Sequence, residues 1–155
     1  MTPLCMTTNE GVAISDCNEH QKNILIVDDD QYLLFSMVKH LRTIGTSLNI
    51  YTAANGKQAR SILSTIPVNL VISDVKMPVM DGMELALWLS EARPQIPAIM
   101  MSGCADPESV ASIIQKGYSF IEKPVNQKKL FEVVQTLVTD PSATGVKLPS
   151  RSSAA

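Results

Sequence analysis

Short, unbroken apolar runs alternate along the chain with longer segments in which apolar residues recur every three or four positions. Three of the runs have the length of a strand and end beside a polar residue: 24–27, 69–73 and 98–101. Runs of this kind are typical of strands that are buried on both faces, as in a parallel sheet. Two shorter and more mixed runs, 49–53 and 119–121, predict strands at the edges of that sheet.

The segments between the runs predict five amphipathic helices, because their apolar residues fall on one helical face. We expect Gly45 to end the first helix. Asp106 and Pro107 predict the start of the fourth helix, as its N-cap and first residue, and Gly117 predicts its end. Asn126 is expected to cap the fifth helix.

The alternation of strands and helices from about residue 23 to residue 138 predicts an α/β domain with one doubly wound sheet of five parallel strands. The strand order expected for this class is 2-1-3-4-5, and functional groups should gather at the carboxyl ends of the strands. Residues 1–22 are polar, and residues 140–155 are rich in Ser, Ala, Pro and Thr. We expect both segments to be disordered tails around a single domain, 23–139.

Composition narrows the possible functions. The chain has 155 residues, a net charge of -2 and an isoelectric point near 5.6, without a basic stripe, which argues against direct binding of nucleic acid. No apolar run approaches the roughly 20 residues of a membrane span, and the N-terminus lacks the basic region of a signal peptide. Three cysteines without paired spacing argue against disulfides and zinc sites. A cytoplasmic location is the simplest expectation.

Carboxylates cluster at the predicted carboxyl ends of two neighbouring strands. Asp28 and Asp29 follow the first strand, and Asp74 ends the third. Carboxylates that meet across a short gap repel each other, and a hard cation such as Mg2+ relieves this repulsion. Two adjacent side chains point to different sides, so only one of Asp28 and Asp29 is expected to coordinate directly. Aspartates are also common after strands for reasons of turn geometry, and Asp30 can serve simply as a helix cap.

A hydroxyl and an ammonium group are expected at the same edge of the sheet. Ser102 ends the fourth strand and Lys123 follows the fifth. Together with the carboxylates they form a set that can bind a phosphoryl group. Taken singly, such a serine is usually a turn residue and such a lysine a solvated charge. Lys123 is more specific because Pro124 keeps it extended, and a cis bond at this position would fix its direction.

Four segments carry a resemblance to a known family: ILIVDDD, LVISDVKMPVMDG, IMMSG and FIEKP. In order and spacing they resemble the receiver domain of two-component response regulators, over roughly residues 23–138. The resemblance implies the flavodoxin-like (CheY-like) version of the doubly wound fold. It also implies a phosphorylation-controlled signalling switch, either stand-alone or cut from a longer regulator. Such a domain is no enzyme for an external substrate, since it catalyses only its own Mg2+-dependent phosphorylation and dephosphorylation.

The resemblance assigns a role to individual residues. It implies that Asp74 is the phosphoacceptor, that Ser102 contacts a phosphoryl oxygen and that Lys123 is the paired cation. Phe120 falls where the family has the aromatic residue that follows the hydroxyl in the switch. The implied partners are a histidine kinase or phosphotransfer protein, which supplies the phosphoryl group, and an unidentified downstream protein. The downstream protein would bind the face made by the fourth helix, fifth strand and fifth helix.

The resemblance also implies a metal site and a point of variation. The Mg2+ ligands that it implies are Asp29, Asp74, the backbone carbonyl of Lys76 and, partly through water, Asp28. The side chains of Lys76 and Cys104 occupy positions that vary in the family and are associated with the lifetime of the phosphoryl group. A long cation that covers the phosphoryl oxygens and a thiol without a strong acceptor both favour slow loss of the phosphoryl group. The alternative is that Lys76 points into solvent and has no effect on this rate.

Three other functions fit parts of the sequence. A Mg2+-dependent aspartyl phosphatase of the haloacid dehalogenase type also has Asp on its first strand, but residues 28–32 lack its Thr/Val, and it needs a cap and a longer chain. A flavodoxin-like cofactor binder would need a Ser/Thr/Gly-rich loop after the first strand. A degenerate receiver that works without phosphate would lack some of the key side chains, and all of them are present here.

Overall fold

The computed structural model describes residues 21–43, 48–104, 106–140 and 147–148. Strands and helices alternate along this part of the chain. The strands are β1 (Lys22–Val27), β2 (Leu48–Ala53), β3 (Leu70–Asp74), β4 (Ala98–Ser102), β5 (Ser119–Glu122) and β6 (Lys147–Leu148). The helices are α1 (Gln31–Leu41), α2 (Gly56–Thr65), α3 (Gly82–Ala92), α4 (Pro107–Gln115) and α5 (Gln127–Thr139).

The strands form one parallel sheet in the order β2-β1-β3-β4-β5-β6. The predicted order 2-1-3-4-5 and the predicted α/β class are confirmed for the five strands that the sequence indicated. β3 and β4 are buried along their whole length. Their carboxyl ends are in register, with Asp74 opposite Met101, so residues that follow these strands lie at one edge of the sheet.

Each face of the sheet has its own hydrophobic core. Side chains alternate between the two faces along a strand, so that Leu25 and Val27 belong to one core and Ile24 and Ile26 to the other. The first core is covered by α2, α3 and α4, and the second by α1 and α5. A sheet with helices on both faces explains why the strand sequences are apolar without alternation.

Polar caps fix where the helices begin. Asp30 accepts hydrogen bonds from the N–H groups of Tyr32 and Leu33 at the start of α1, so the expected capping role is real. The predicted caps Asp106 and Asn126 are also confirmed, with Pro107 as the first residue of α4. Gly117 follows α4 with φ of 86°, a conformation that favours glycine.

The structure differs from the sequence prediction at the ends of the domain. β1 begins at Lys22, one residue inside the predicted tail, because Lys22 pairs with Leu48 of β2. Residues 147–148, predicted to be part of a disordered tail, form β6 against β5. Gly45 and the remaining tail residues, 1–20, 141–146 and 149–155, lie outside the described residues.

Candidate functional site

Two buried carboxylates share one lysine at the carboxyl end of the sheet. Asp28 is 1% exposed and Asp74 is 8% exposed. The Nζ atom of Lys123 lies 3.2 Å from Oδ1 of Asp74 and 3.5 Å from Oδ2 of Asp28. The sequence placed these three residues on separate strand ends, and the structure brings their charged groups together. The peptide bond between Lys123 and Pro124 is cis, the geometry that the sequence analysis considered for this position.

The backbone holds both carboxylates in place. Asp28 directly follows β1, its N–H donates to the carbonyl of Ala53 at 3.0 Å, and its Oδ1 accepts a hydrogen bond from the N–H of Asp30 at 2.9 Å. Asp74 is the last residue of β3, and its Oδ1 accepts from the N–H of Val75 at 2.9 Å. One oxygen of Asp74, Oδ2, therefore makes no hydrogen bond or ion pair with the described residues.

Burial raises the pKa of the Asp28 carboxyl above its usual value of 3.8. Loss of water is the largest cause, because burial disfavours the charged form. The N–H of Asp30 and the charge of Lys123 act in the opposite direction, and the nearby charge of Asp74 adds to the increase. The site thus holds more negative charge than its single lysine neutralises.

The carboxylates of Asp28, Asp29 and Asp74 offer oxygen atoms that all lie within 4.8 Å of one another. Asp29 is exposed, and its side chain makes no hydrogen bond or ion pair with the described residues. The backbone carbonyl of Lys76 likewise accepts no hydrogen bond from that part of the chain. Oxygen donors in this arrangement fit a hard divalent cation such as Mg2+.

The hydroxyl of Ser102 is held by its own loop. Ser102 is 3% exposed and lies at the end of β4, where its carbonyl accepts a hydrogen bond from the N–H of Lys123 at 2.9 Å. Its Oγ accepts from the N–H of Cys104 at 3.0 Å and donates to the carbonyl of Cys104 at 3.2 Å. Because the hydroxyl has a single proton, it must give up its bond to the carbonyl of Cys104 before it can donate to a group on Asp74.

Phe120 already lies inside the protein in this structure. Its ring is 1% exposed and belongs to the core that α2, α3 and α4 cover. The residue pairs with Met100 of β4, two residues before Ser102. If the ring follows the Ser102 hydroxyl, as the resemblance implies, it therefore moves from a position that is already buried.

Lys76 and Cys104 lie at the rim of the site, and both side chains are exposed. The hydrogen bonds from Ser109 lower the pKa of the Asp106 carboxyl, and the charge of Lys76 contributes to this decrease. The ammonium group of Lys76 therefore lies in the field of the Asp106 N-cap. Lys76 is exposed, and the expectation that its side chain lies over the phosphoryl oxygens stays a prediction.

The loop between β3 and α3 contains residues to which the sequence analysis gave no role. The N–H of Gly82 donates to the carbonyl of Val75 at 2.7 Å. A Cβ atom on Gly82 would overlap the carbonyl oxygen of Asp74 and would lie 2.7 Å from the Cα atom of Val75. Asp81 and Glu84 form a capping box at the start of α3. An acidic cap followed three residues later by Glu is a sequence signal that would have found this helix start.

The same loop has a strained tip that packs beside α2. Val79 has φ of 68° and is 73% exposed, a conformation that is costly for a β-branched side chain. The carbonyl of Met80 accepts a hydrogen bond from the N–H of Gly56 at 2.9 Å. A Cβ atom on Gly56 would lie 2.8 Å from that carbonyl oxygen. Two glycines thus allow the loop after Asp74 to pack closely on both sides.

A family comparison decides the class of this site. The model of the response regulator receiver domain matches residues 24–135. The chain belongs to this family. Receiver domains are the phosphorylation-controlled switches of two-component systems, and Mg2+ binding is typical of them.

Curated relatives and solved structures agree with this family assignment. The chain is 34% identical over 113 residues to the transcriptional regulatory protein GlrR of Escherichia coli K12. The aligned segment covers 72% of this chain and 25% of GlrR. It is 30% identical over 120 residues to the response regulator protein TmoT of Ectopseudomonas mendocina. That aligned segment covers 77% of this chain and 54% of TmoT. This receiver domain therefore spans about a quarter of GlrR and about half of TmoT.

Among solved structures, a CheY-like receiver domain protein from Methanospirillum hungatei superimposes with a TM-score of 0.71 at 32% identity. The alignment covers 77% of this chain and 95% of that one. The receiver domain of a DNA-binding response regulator from Colwellia psychrerythraea gives a TM-score of 0.72 at 25% identity, over 77% and 100% of the two chains. Within the residues described for the present protein, no helix is long and apolar enough to cross a membrane.

Proposed function

We propose that Asp74 is the phosphoacceptor of this receiver domain. The observation that carries the proposal is the position of its carboxylate, which lies 3.2 Å from the ammonium group of Lys123 and beside two further carboxylates. Its Oδ2 is free of partners within the described residues and can attack a phosphorus atom. Asp28 has both oxygens engaged, by Asp30 and Lys123, and Asp29 lies outside the buried pocket.

In the proposed reaction an O–P bond forms at Asp74 while the bond from phosphorus to the donor breaks. The donor is the phosphorylated histidine of a kinase or phosphotransfer protein, and its imidazole leaves with the electron pair and takes up a proton. Lys123 balances negative charge on the transferred group, and the Ser102 hydroxyl can donate to one of its oxygens after it leaves Cys104. The result is an acyl phosphate in a largely buried site.

Asp28, Asp29 and Asp74, with the backbone carbonyl of Lys76, are proposed to hold Mg2+. A Mg2+ ion held by these residues would relieve repulsion among the carboxylates and neutralise phosphoryl charge. Asp29 suits direct ligation because its oxygens have no partners within the described residues, whereas Asp28 is already bonded to Asp30 and Lys123. The same set of residues would also support loss of the phosphoryl group to water, so self-dephosphorylation belongs to this proposal.

The proposed output is a change in affinity for a downstream protein in the cytoplasm. Lys123 follows β5 directly, and the N–H of Lys123 donates to Ser102. Movement of the Ser102 hydroxyl toward a phosphoryl group therefore acts at the junction of β4, α4 and β5. The recognition face, which we define as the outer surface of α4, β5 and α5, is the part of the fold next to this junction.

The decisive experiment is phosphorylation by a small donor. Incubation with acetyl phosphate and Mg2+ should add one phosphoryl group, measured by intact-protein mass spectrometry. Asp74→Asn should abolish this addition, whereas Asp30→Asn, which keeps a capping side chain at the start of α1, should be labelled as wild type is. Undiminished labelling of the Asp74→Asn chain would refute the assignment.

A further inference from the structure

β6 lies on an edge of the sheet that would otherwise be open. Residues 147–148 pair in parallel with β5, with Lys147 opposite Phe120 and Leu148 opposite Ile121. Without this pairing, β5 would present a row of unpaired N–H and C=O groups. Such an edge is a template for pairing with an extended segment of the same chain or of another one. The occupant in this structure is a later segment of the same chain.

The connection to β6 has the opposite hand to the other four connections. From β3 to β4 and from β4 to β5 the chain steps across the sheet in one direction, with α3 and α4 on the first core. From β5 to β6 it steps in the same direction, but α5 packs on the second core together with α1. From β1 to β2 the chain steps in the opposite direction, and α1 packs on the opposite face, the second core. Because both the direction and the face are reversed, the α1 connection has the same hand as the α3 and α4 connections.

This difference in hand separates β6 from the rest of the sheet. About 98% of parallel crossovers have the same hand, because a twisted sheet and a right-handed helix pack together in one way. Four connections of this domain agree with one another, and only the one leading to β6 departs from them among the described elements. A strand of two residues also offers few backbone hydrogen bonds. Both facts make β6 an addition that can leave without disturbing the five-stranded fold.

We propose that the outer edge of β5 is a strand-accepting surface, and that residues 147–148 of this chain are its resident occupant. β5 lies in the middle of the recognition face, so the biological meaning of this inference rests on the function proposed above. A protein strand that pairs with β5, or a partner that docks across α4, β5 and α5, must displace residues 147–148. The segment therefore shields the recognition face until a stronger partner arrives.

Amide hydrogen exchange of the full-length chain tests the occupant directly. Adjacent amides of a strand point to opposite sides, so the double variant Lys147→Pro/Leu148→Pro removes whichever N–H group faces β5. Loss of one hydrogen bond should make the edge-facing amides of β5 exchange about tenfold faster. Exchange in β2, at the opposite edge, should stay unchanged. The matched control Ser152→Pro/Ser153→Pro places the same substitution beyond β6 and should behave as wild type does.

Two further arms separate the possible outcomes. The same loss of protection should appear in an Asp74→Asn background, because the pairing does not require a phosphoryl group. If Asp74 proved not to be the phosphoacceptor, the exchange result would therefore still stand. Equal exchange of β5 in wild type and in the double-proline variant would overturn the inference. Protection of β5 that rises with protein concentration in wild type would assign the edge to a second copy and would also overturn it.

Discussion

At the scale of single residues, the site is governed by crowded negative charge. Three carboxylates meet with one ammonium group, and the two buried carboxylates already share that ammonium. The raised pKa of Asp28 is a direct consequence of burial without full neutralisation. The sequence predicted all of these residues because each lies at the end of a strand or directly after one. It could not predict that Asp28 would be the one whose oxygens are occupied.

The different surroundings of Asp28 and Asp29 predict different effects on Mg2+ binding. Asp29→Asn should weaken Mg2+ binding by about 100-fold, because it removes the negative charge of a direct ligand, whereas Asp28→Asn should weaken it by about tenfold. Isothermal titration calorimetry is the suitable measurement, since the Trp88 ring lies against the guanidinium groups of Arg60 and Arg93, with Cζ atoms at 4.9 and 5.6 Å from its centroid, and against no carboxylate of this site. Wild-type affinity in the Asp29→Asn chain would contradict the proposed ligand set.

A second residue-scale prediction concerns Tyr118, which is 3% exposed and whose hydroxyl has no hydrogen-bond partner within the described residues. Burial raises its pKa from 10.0 to about 12. Tyr118→Phe should therefore stabilise the fold by about 1 kcal/mol at neutral pH, because it removes an unsatisfied buried group. Urea denaturation measures this change. Tyr32→Phe, at a ring that is 88% exposed, is the matched control and should have no effect.

The same substitution should alter the response to alkali. The Tyr118 hydroxyl ionises near pH 10 in the unfolded chain and near pH 12 in the folded one, so the unfolded chain loses this proton first and the stability of the fold falls as the pH rises through this window. Tyr118→Phe removes this titration, and the stability of the variant should fall less steeply than that of wild type between these pH values. Parallel curves for the two proteins would contradict the buried, unpaired state of the hydroxyl.

At the scale of elements, local signals in the sequence account for most of the fold. Apolar runs located β1, β3 and β4, and caps such as Asp106 and Asn126 located the helix starts. The pairing of residues 147–148 with β5 could not be foreseen, because an edge pairing of two residues leaves no apolar run or alternation in the sequence. The orientation of the Ser102 hydroxyl was also unpredictable, because it depends on the backbone of its own loop.

The junction between β3 and α3 predicts a strong effect from a single methyl group. Gly82→Ala should destabilise the domain by about 2–3 kcal/mol, because its Cβ atom would overlap the Asp74 carbonyl and force α3 away from β3. The displaced backbone should also slow phosphorylation of Asp74. Gly103→Ala is the matched control, since its Cβ atom would lie 3.7 Å from that of Lys123, an ordinary contact. Equal thermal stability of the two variants would show that the loop can relax.

At the scale of the whole molecule, two cores and one sheet connect the site to the proposed recognition face. Asp74, Ser102 and Lys123 lie at the ends of β3, β4 and β5, which are adjacent in the sheet. Phe120 of β5 belongs to the core that α4 covers, so a change at the end of β4 reaches α4 through packed side chains. Interiors packed in this way transmit small displacements rather than absorb them.

The final prediction tests this connection through the Ser102 hydroxyl. Ser102→Ala removes the group that is proposed to move from Cys104 to the phosphoryl oxygens, so the chain should still be phosphorylated at Asp74. The change in amide chemical shifts over residues 106–120 on addition of acetyl phosphate and Mg2+ should fall to less than about half of the wild-type change, because the biasing contact is lost. Ser102→Thr keeps the hydroxyl and should restore the full change. A full shift in the alanine variant would mean that phosphorylation acts on β5 through Lys123 alone, whose ammonium group already contacts Asp74.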